Sequence, residues 1–300
     1  MNNKEIPVRK AVIPVAGLGT RVLPASKAIP KEMMPVVDKP VIQLVVEEAI
    51  SAGIKEIILV TRSGKSAIED HFDKHYELEA ELARKNKTAL LASIQNIVPN
   101  DVSVVAVRQA DALGLGHAVL CAAKVVNDEP FVVILPDVLV NNYEQDNSDL
   151  NQMIAAFEQH QAAQIMVEEV PLEEVQMYGI ADCKGVVPKA GESIAIQEMV
   201  EKPSQQEAPS NLAVVGRYVL PARVMQLLLN TRAGAGGEIQ LTDALDSLLS
   251  ESAVEAYRMT GKTYDCGNKL GYLKANVAYG LQHPDTADAF KGFINSLNER

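Results

Sequence analysis

The chain has 300 residues, 47% of them hydrophobic, enough to bury a sizeable core in one large domain or two intimate ones. Its 28 basic and 39 acidic residues leave a net charge of −11, which argues against nucleic acid or an anionic membrane as the main partner, because both demand a basic face. No apolar run approaches the about 20 residues of a membrane span. No apolar signal region precedes the first strand pattern, and Cys121, Cys183 and Cys266 stand alone without a CxxC pair, so the sequence reads as a soluble cytoplasmic enzyme.

The first half alternates strand and helix signals. Runs at 10–15 (KAVIPV), 56–61 (EIILVT), 102–107 (VSVVAV) and 131–136 (FVVILP) are rich in Val and Ile and apolar throughout, as suits strands covered on both faces. Helical patterns separate them at 41–52, stopped by Gly53, at 66–92, with a break near Asp73, and at 116–126. The order predicts a mostly parallel sheet with right-handed crossovers, an α/β fold. After Asp137 a helix at 149–161 leads to shorter strands at 164–170, 178–183, 193–200 and 213–220, closely spaced enough to be antiparallel additions. Helices return at 221–230, 240–251, 269–281 and 285–298; a polar loop spans 203–211 and a glycine-rich stretch at 231–245 runs into a helix. There is no internal repeat or long linker, so the whole chain reads as one domain.

Gly17 and Gly19 directly follow the first strand, where glycine lets backbone N–H groups turn toward an anion. A dinucleotide fingerprint would need a third glycine at Val22 and then a helix, which Pro24 and Pro30 oppose. A P-loop ending at Gly64-Lys65-Ser66 would need its first glycine at Leu59, inside a strand, so that segment reads as a solvent-exposed turn. What remains is a proline-stiffened loop carrying Arg21, Lys27 and Lys31. Proline lowers the entropy lost on ordering, and guanidinium and ammonium groups held on a stiff loop suit a polyphosphate.

The segment AGLGTRVLPASKAIPKEMMPVVDKP (16–40) resembles the signature loop of the sugar-nucleotide pyrophosphorylases, and RQADALGLGHA (108–118), ILPDV (134–138), MVEKP (199–203) and YDCGN (264–268) agree with one branch of that family in the same order. The resemblance covers nearly the whole chain. It implies a three-layer α/β/α nucleotidyltransferase fold, with a mixed, mostly parallel central sheet and a smaller antiparallel addition. It further implies a nucleotide-binding half at 1–140, a sugar-phosphate half at 141–268 and C-terminal helices at 269–300 available for subunit contact. The branch joins UTP to glucose 1-phosphate with Mg²⁺. The same chemistry on dTTP and a non-catalytic regulatory paralogue are the alternatives.

Residue by residue, the resemblance implies nucleotide binding by Ala16, Gly17, Gly19, Thr20 and Arg21, with Gln109 and Gly114 at the base. Gln109 carries a donor and an acceptor that match the uracil edge, and Gly114 admits close approach of a flat ring; unaided, the two read equally as an exposed loop. Asp137 ends a central strand, where α/β folds place ligands or an N-cap. Its pairing with Asp265 as Mg²⁺ ligands comes from the resemblance, and hard oxygens suit that ion. Glu201 and Lys202 end a strand and are assigned to the sugar and its phosphate, with Gly179 and Val214 lining the sugar site. Arg21, Lys31 and Lys202 are the expected catalytic cations, Arg21 on the β/γ-phosphates and Lys31 on the α-phosphate; Lys27 is left outside that set. The five histidines form no triad or metal cluster, and His71 with His75 reads as an exposed helical face. A homotetramer or homodimer is expected from the resemblance.

Overall fold

The computed structural model describes residues 6–142, 148–234 and 237–297. Positions 235–236 of the glycine-rich stretch and the last residue of the predicted 285–298 helix lie outside them. The first strand, β1 (Lys10–Pro14), is followed by three 3₁₀ turns (Thr20–Val22, Ala25–Lys27 and Lys31–Met33), because the prolines forbid a continuous helix. A short hairpin of β2 (Pro35–Val36) and β3 (Lys39–Pro40) leads into α1 (Val41–Ser51) and β4 (Glu56–Thr61). The predicted 66–92 helix is three helices, α2 (Ser66–Phe72), α3 (Tyr76–Arg84) and α4 (Thr88–Gln95). The second break falls at Asn86, whose φ of 54° ends α3.

Next come β5 (Ser103–Arg108), α5 (Leu115–Cys121), α6 (Ala123–Val126), β6 (Phe131–Ile134) and β7 (Val138–Val140). The second half adds α7 (Asp149–His160), β8 (Ala163–Glu169), β9 (Gly179–Asp182), β10 (Ser193–Ala195), β11 (Glu198–Glu201) and β12 (Leu212–Leu220). It ends with α8 (Arg223–Asn230), α9 (Leu241–Leu249), β13 (Val254–Arg258), β14 (Thr263–Asp265), α10 (Lys269–Gly280) and α11 (Ala287–Leu297).

Within the described residues the main sheet runs β10-β13-β8-β12-β6-β1-β4-β5, with β9 and β11 branching from β12. The strands β6, β1, β4 and β5 are parallel, while β12 is antiparallel to both β6 and β8. Strand periodicity sorts the core onto two faces. Ala11, Ile13, Ile57 and Leu59 pack with α1 and α7, whereas Val12, Ile58 and Val60 pack with α5, α8 and α9. The result is the expected three-layer arrangement.

One strand expectation needs correction, and further strands lie where none was expected. The 193–200 strand is two, β10 against β13 and β11 against β9, because the chain changes partner at Ile196 and Gln197. Strand β13 itself was not expected: VEAYR mixes charges with apolar residues, yet it lies parallel to β8 with Val254, Ala256 and Tyr257 buried. The β14–β7 pair, Asp265 opposite Val138, was equally invisible in such short segments. No helix among the described residues is long and apolar enough to cross a membrane.

Candidate active site

The ends of β1, β4, β5 and β6 come together at the carboxyl edge of the parallel sheet, where open α/β folds hold ligands. A cavity of about 440 Å³ there is bordered by Ala16, Gly17, Gly19 and Thr20, by Lys31, and by Gln109 and Gly114. A second cavity of about 370 Å³ is bordered by Gly179, Glu201, Lys202, Val214 and Asp265, together with Arg21. They meet at Asp137, Leu115, Leu135 and Glu238, which border both. Every residue expected at the site therefore lies against one of two adjoining cavities.

Asp137 is the hinge of the pair. Its Oδ2 accepts from Lys31 Nζ at 2.7 Å and from Arg21 Nη2 at 3.1 Å, and Arg21 Nη1 lies 3.6 Å from Asp265 Oδ2. The two carboxylates face a common space: a methyl group built on Gly267 would stand 2.7 Å from an oxygen of each. Asp265 is held by Gly267 N–H at 2.7 Å and by Asn268 Nδ2 at 2.8 Å, while Asn268 Oδ1 caps α10 by accepting from Gly271 N–H at 2.8 Å. An Asn immediately before a helical run is an N-cap signal, so this positioning residue was within reach of the sequence. Among the described residues no third His, Cys, Asp or Glu joins the carboxylates.

A nucleotidyl transferase family model matches residues 10–281. The chain belongs to the nucleotidyl transferase family. The UTP--glucose-1-phosphate uridylyltransferase of Escherichia coli K12 is 57% identical over 289 residues, 96% of this chain and 95% of that one. Two solved structures overlay closely. The UTP-bound UGPase from Acinetobacter baumannii gives a TM-score of 0.91 at 57% identity, covering 97% of this chain and 99% of that one. A UDP-glucose pyrophosphorylase complexed with UDP-glucose gives 0.81 at 43%, covering 91% and 98%.

In this nucleotidyl transferase the signature loop is locked by its own side chains. Gly19 takes φ 68°, a left-handed conformation that suits glycine, and Ser26 Oγ donates to its carbonyl at 2.7 Å. Arg21, expected on the β/γ-phosphates, borders the second cavity and lies across the two carboxylates. Lys65 departs from its expected solvent-exposed turn: it is buried and ion-pairs at 2.6 Å with Glu32, which is also buried.

Along the first cavity, Gln109 is buried and its Nε2 donates to Gly114 O at 3.2 Å and lies 3.1 Å from His117 Nδ1. His117 orients the glutamine, and no sequence pattern pointed to it. With the nitrogen engaged, Oε1 remains as acceptor. Gly114 has φ 96°, and a Cβ there would meet Glu238 Cβ at 2.8 Å and Ile239 O at 2.9 Å. The approaching 238–239 segment, more than a flat base, demands glycine.

In the second cavity Lys202 has φ 47°, which breaks the strand alternation and lets Glu201 and Lys202 border the same space, with Lys202 Nζ 3.2 Å from Glu201 Oε1. Thr242 Oγ1 donates to Glu201 Oε2 at 2.7 Å. This threonine sits in the first turn of α9, a placement that only the fold creates.

Burial would raise the pKa of Asp137, but the charge and hydrogen bond of Lys31 and the charge of Arg21 outweigh it and hold the carboxyl below its usual range. Burial pushes the Cys266 thiol, beside Asp265 and Asp137, up to about 12, which leaves it inert near neutrality. The exposed helical face expected of His71 and His75 does not form: His71, in α2, is half-buried against Gln43, and burial lowers its pKa, whereas exposed His75 caps the separate helix α3.

Proposed function

We propose that this enzyme transfers a uridylyl group from UTP to α-D-glucose 1-phosphate, giving UDP-glucose and pyrophosphate. The observation that carries the reading is the junction at Asp137 between a cavity bordered by the signature loop and Gln109 and one bordered by Glu201 and Lys202. The substrates in the names of its relatives support the same pair. Ala16, Gly17, Gly19 and Thr20 would hold the nucleotide phosphates through backbone groups, and Gln109 Oε1 would accept from the base. Gly179, Glu201 and Val214 would seat the sugar.

A phosphate monoester is largely dianionic at neutral pH, its second pKa being about 6, so the attacking oxygen needs no general base. The obstacle is electrostatic. Two unit charges about 4 Å apart repel by about 4 kcal/mol at an effective dielectric of 20, and the reacting groups carry several. Lys202 anchors the attacking phosphate, while Lys31 and Arg21 concentrate positive charge at the junction. Asp137 and Asp265 are a fitting pair of hard-oxygen ligands for Mg²⁺, which when bound supplies further charge neutralisation at the reacting phosphates.

The test is pyrophosphate release from UTP and glucose 1-phosphate, with and without EDTA, beside parallel reactions in dTTP, ATP, CTP or GTP. Metal-dependent release preferring UTP is the expected result. Preference for dTTP would move the base specificity, and no release with any nucleotide from folded protein would leave a regulatory paralogue.

A further inference from the structure

A carboxamide can meet a base with its oxygen or with its nitrogen, and the two choices suit different pyrimidines. Uracil carries a hydrogen on N3, whereas the N3 of cytosine is bare and accepts. The orientation of Gln109, which borders the first cavity, is therefore a specificity element. Its backbone is pinned at the end of β5, where Gln109 N–H donates to Thr61 O at 2.8 Å. Behind the side chain stand two groups. Gly114 O, which only accepts, lies 3.2 Å from Nε2, and His117 Nδ1 lies 3.1 Å from it. Turning the amide over would set its oxygen against the Gly114 carbonyl, so Gly114 decides which end faces backward. The second amide hydrogen then goes to His117 Nδ1, which places the imidazole proton on Nε2, 4.0 Å from Cys121 Sγ, a weak acceptor. His117 and Cys121 lie one turn apart in α5, half-buried, and neither borders the cavity.

We propose that His117 is a positioning residue that, through Gln109, selects uracil against cytosine; this rests on the uridylyl transfer put forward above. With both amide hydrogens engaged behind it, Gln109 presents only Oε1 to the base. That oxygen accepts from uracil N3–H and opposes the lone pair of cytosine N3. Without His117 one amide hydrogen is freed, and a single bond to Gly114 O opposes the turn that would offer nitrogen to cytosine. Thymine carries the same N3–H, so His117 does not separate UTP from dTTP.

The experiment compares kcat/KM for UTP and CTP in the unmodified enzyme, His117→Leu and His117→Asn, by pyrophosphate release with glucose 1-phosphate. His117→Leu should lower the UTP-to-CTP ratio about tenfold, the scale of one hydrogen bond, and raise the KM for UTP while the KM for glucose 1-phosphate stays unchanged. His117→Asn, whose Oδ1 can accept where Nδ1 does, should recover most of the ratio. A loss of packing alone would depress both nucleotides alike. An unchanged ratio in His117→Leu, or a loss that His117→Asn does not repair, would therefore overturn the assignment. Nitrogen NMR of the folded, unmodified protein gives a reading independent of any variant: the His117 ring should carry its proton on Nε2, and a proton on Nδ1 alone would overturn it. Should the unmodified protein release no pyrophosphate from any nucleotide, the uridylyl reading fails, and calorimetric titration decides. Tighter binding of UTP than of CTP that is lost in His117→Leu keeps the role of His117, and equal binding of both removes it.

Discussion

At Asp137 burial and charge act in opposite directions, and the cations Lys31 and Arg21 prevail. A carboxylate with a depressed pKa contributes its stabilisation above the ordinary value of about 3.9 and loses it only as the pH falls through its folded value. Asp137 therefore stays ionised throughout the neutral range. The acid limb of kcat/KM is expected near the second phosphate pKa of glucose 1-phosphate, about 6. Replacing the sugar 2-hydroxyl by fluorine lowers that pKa and should carry the limb to lower pH; a limb that stays put would place the ionisation on the protein. Asp137→Asn and Lys202→Ala should each lower turnover by at least about 10²–10³-fold, the scale of a lost transition-state contact. Lys202→Ala should leave the melting temperature nearly unchanged, whereas Asp137→Asn should lower it because the half-buried Lys31 loses its partner; near-normal turnover in either would remove that residue from the mechanism.

The element that carries Asp137 is held from beneath by a buried arginine. Arg217, fully buried in β12, pairs with Glu48 of α1 at 2.7 and 2.8 Å and donates to Val138 O at 2.7 Å and Leu135 O at 3.3 Å. Leu135 N–H in turn donates to Gly216 O, and Cys266 N–H to Asp137 O at 2.7 Å. The register of β12 against β8 shifts between Val214 and Tyr218, an irregularity of the kind that re-aims side chains beside active sites. Breaking this pair with Glu48→Gln should cost about 3–5 kcal/mol, or about 5–8 °C in Tm for a chain of this size. The double variant Glu48→Leu/Arg217→Met should regain much of that stability. It should not regain turnover, because the carbonyls of Leu135 and Val138 lose their donor. Full activity in the double variant would reduce Arg217 to a packing role. Separately, Gly114→Ala would drive a methyl into the 238–239 segment and should raise the KM for UTP well before it changes kcat.

On the scale of the whole molecule, α10 presents Leu270, Leu273, Val277 and Leu281 to solvent along one stripe of the helix. A chain with net charge −11 has little reason to expose such a stripe unless another subunit covers it. We propose that the homodimer or homotetramer expected from the family resemblance forms, and it should appear in sedimentation velocity at micromolar protein. Leu270→Glu/Leu273→Glu should shift it toward monomer, and a chain that is monomeric without substitution would refute the assembly. The first and second halves of the chain share one sheet, with β6 and β12 hydrogen-bonded side by side.

The sequence alone determined the parallel β1, β4, β5 and β6, because long apolar runs bounded by Gly, Pro or Asp have one stable burial. It also determined the stiff, cation-bearing character of the 16–31 loop, since glycine, proline and cations act locally. The pairing of Asp137 with Asp265 came from likeness to a known family, and their convergence over Gly267 is a product of the β14–β7 ladder. Strand β13, the Arg217 clamp, His117 behind Gln109 and Thr242 behind Glu201 left no local trace. His117 is eight residues from Gln109 but reaches it only through the turn into α5, and the others depend on partners far along the chain, up to 169 residues away for Arg217 and Glu48. Such contacts are selected by packing and by the need to satisfy buried polar groups, and only the tertiary structure could decide them.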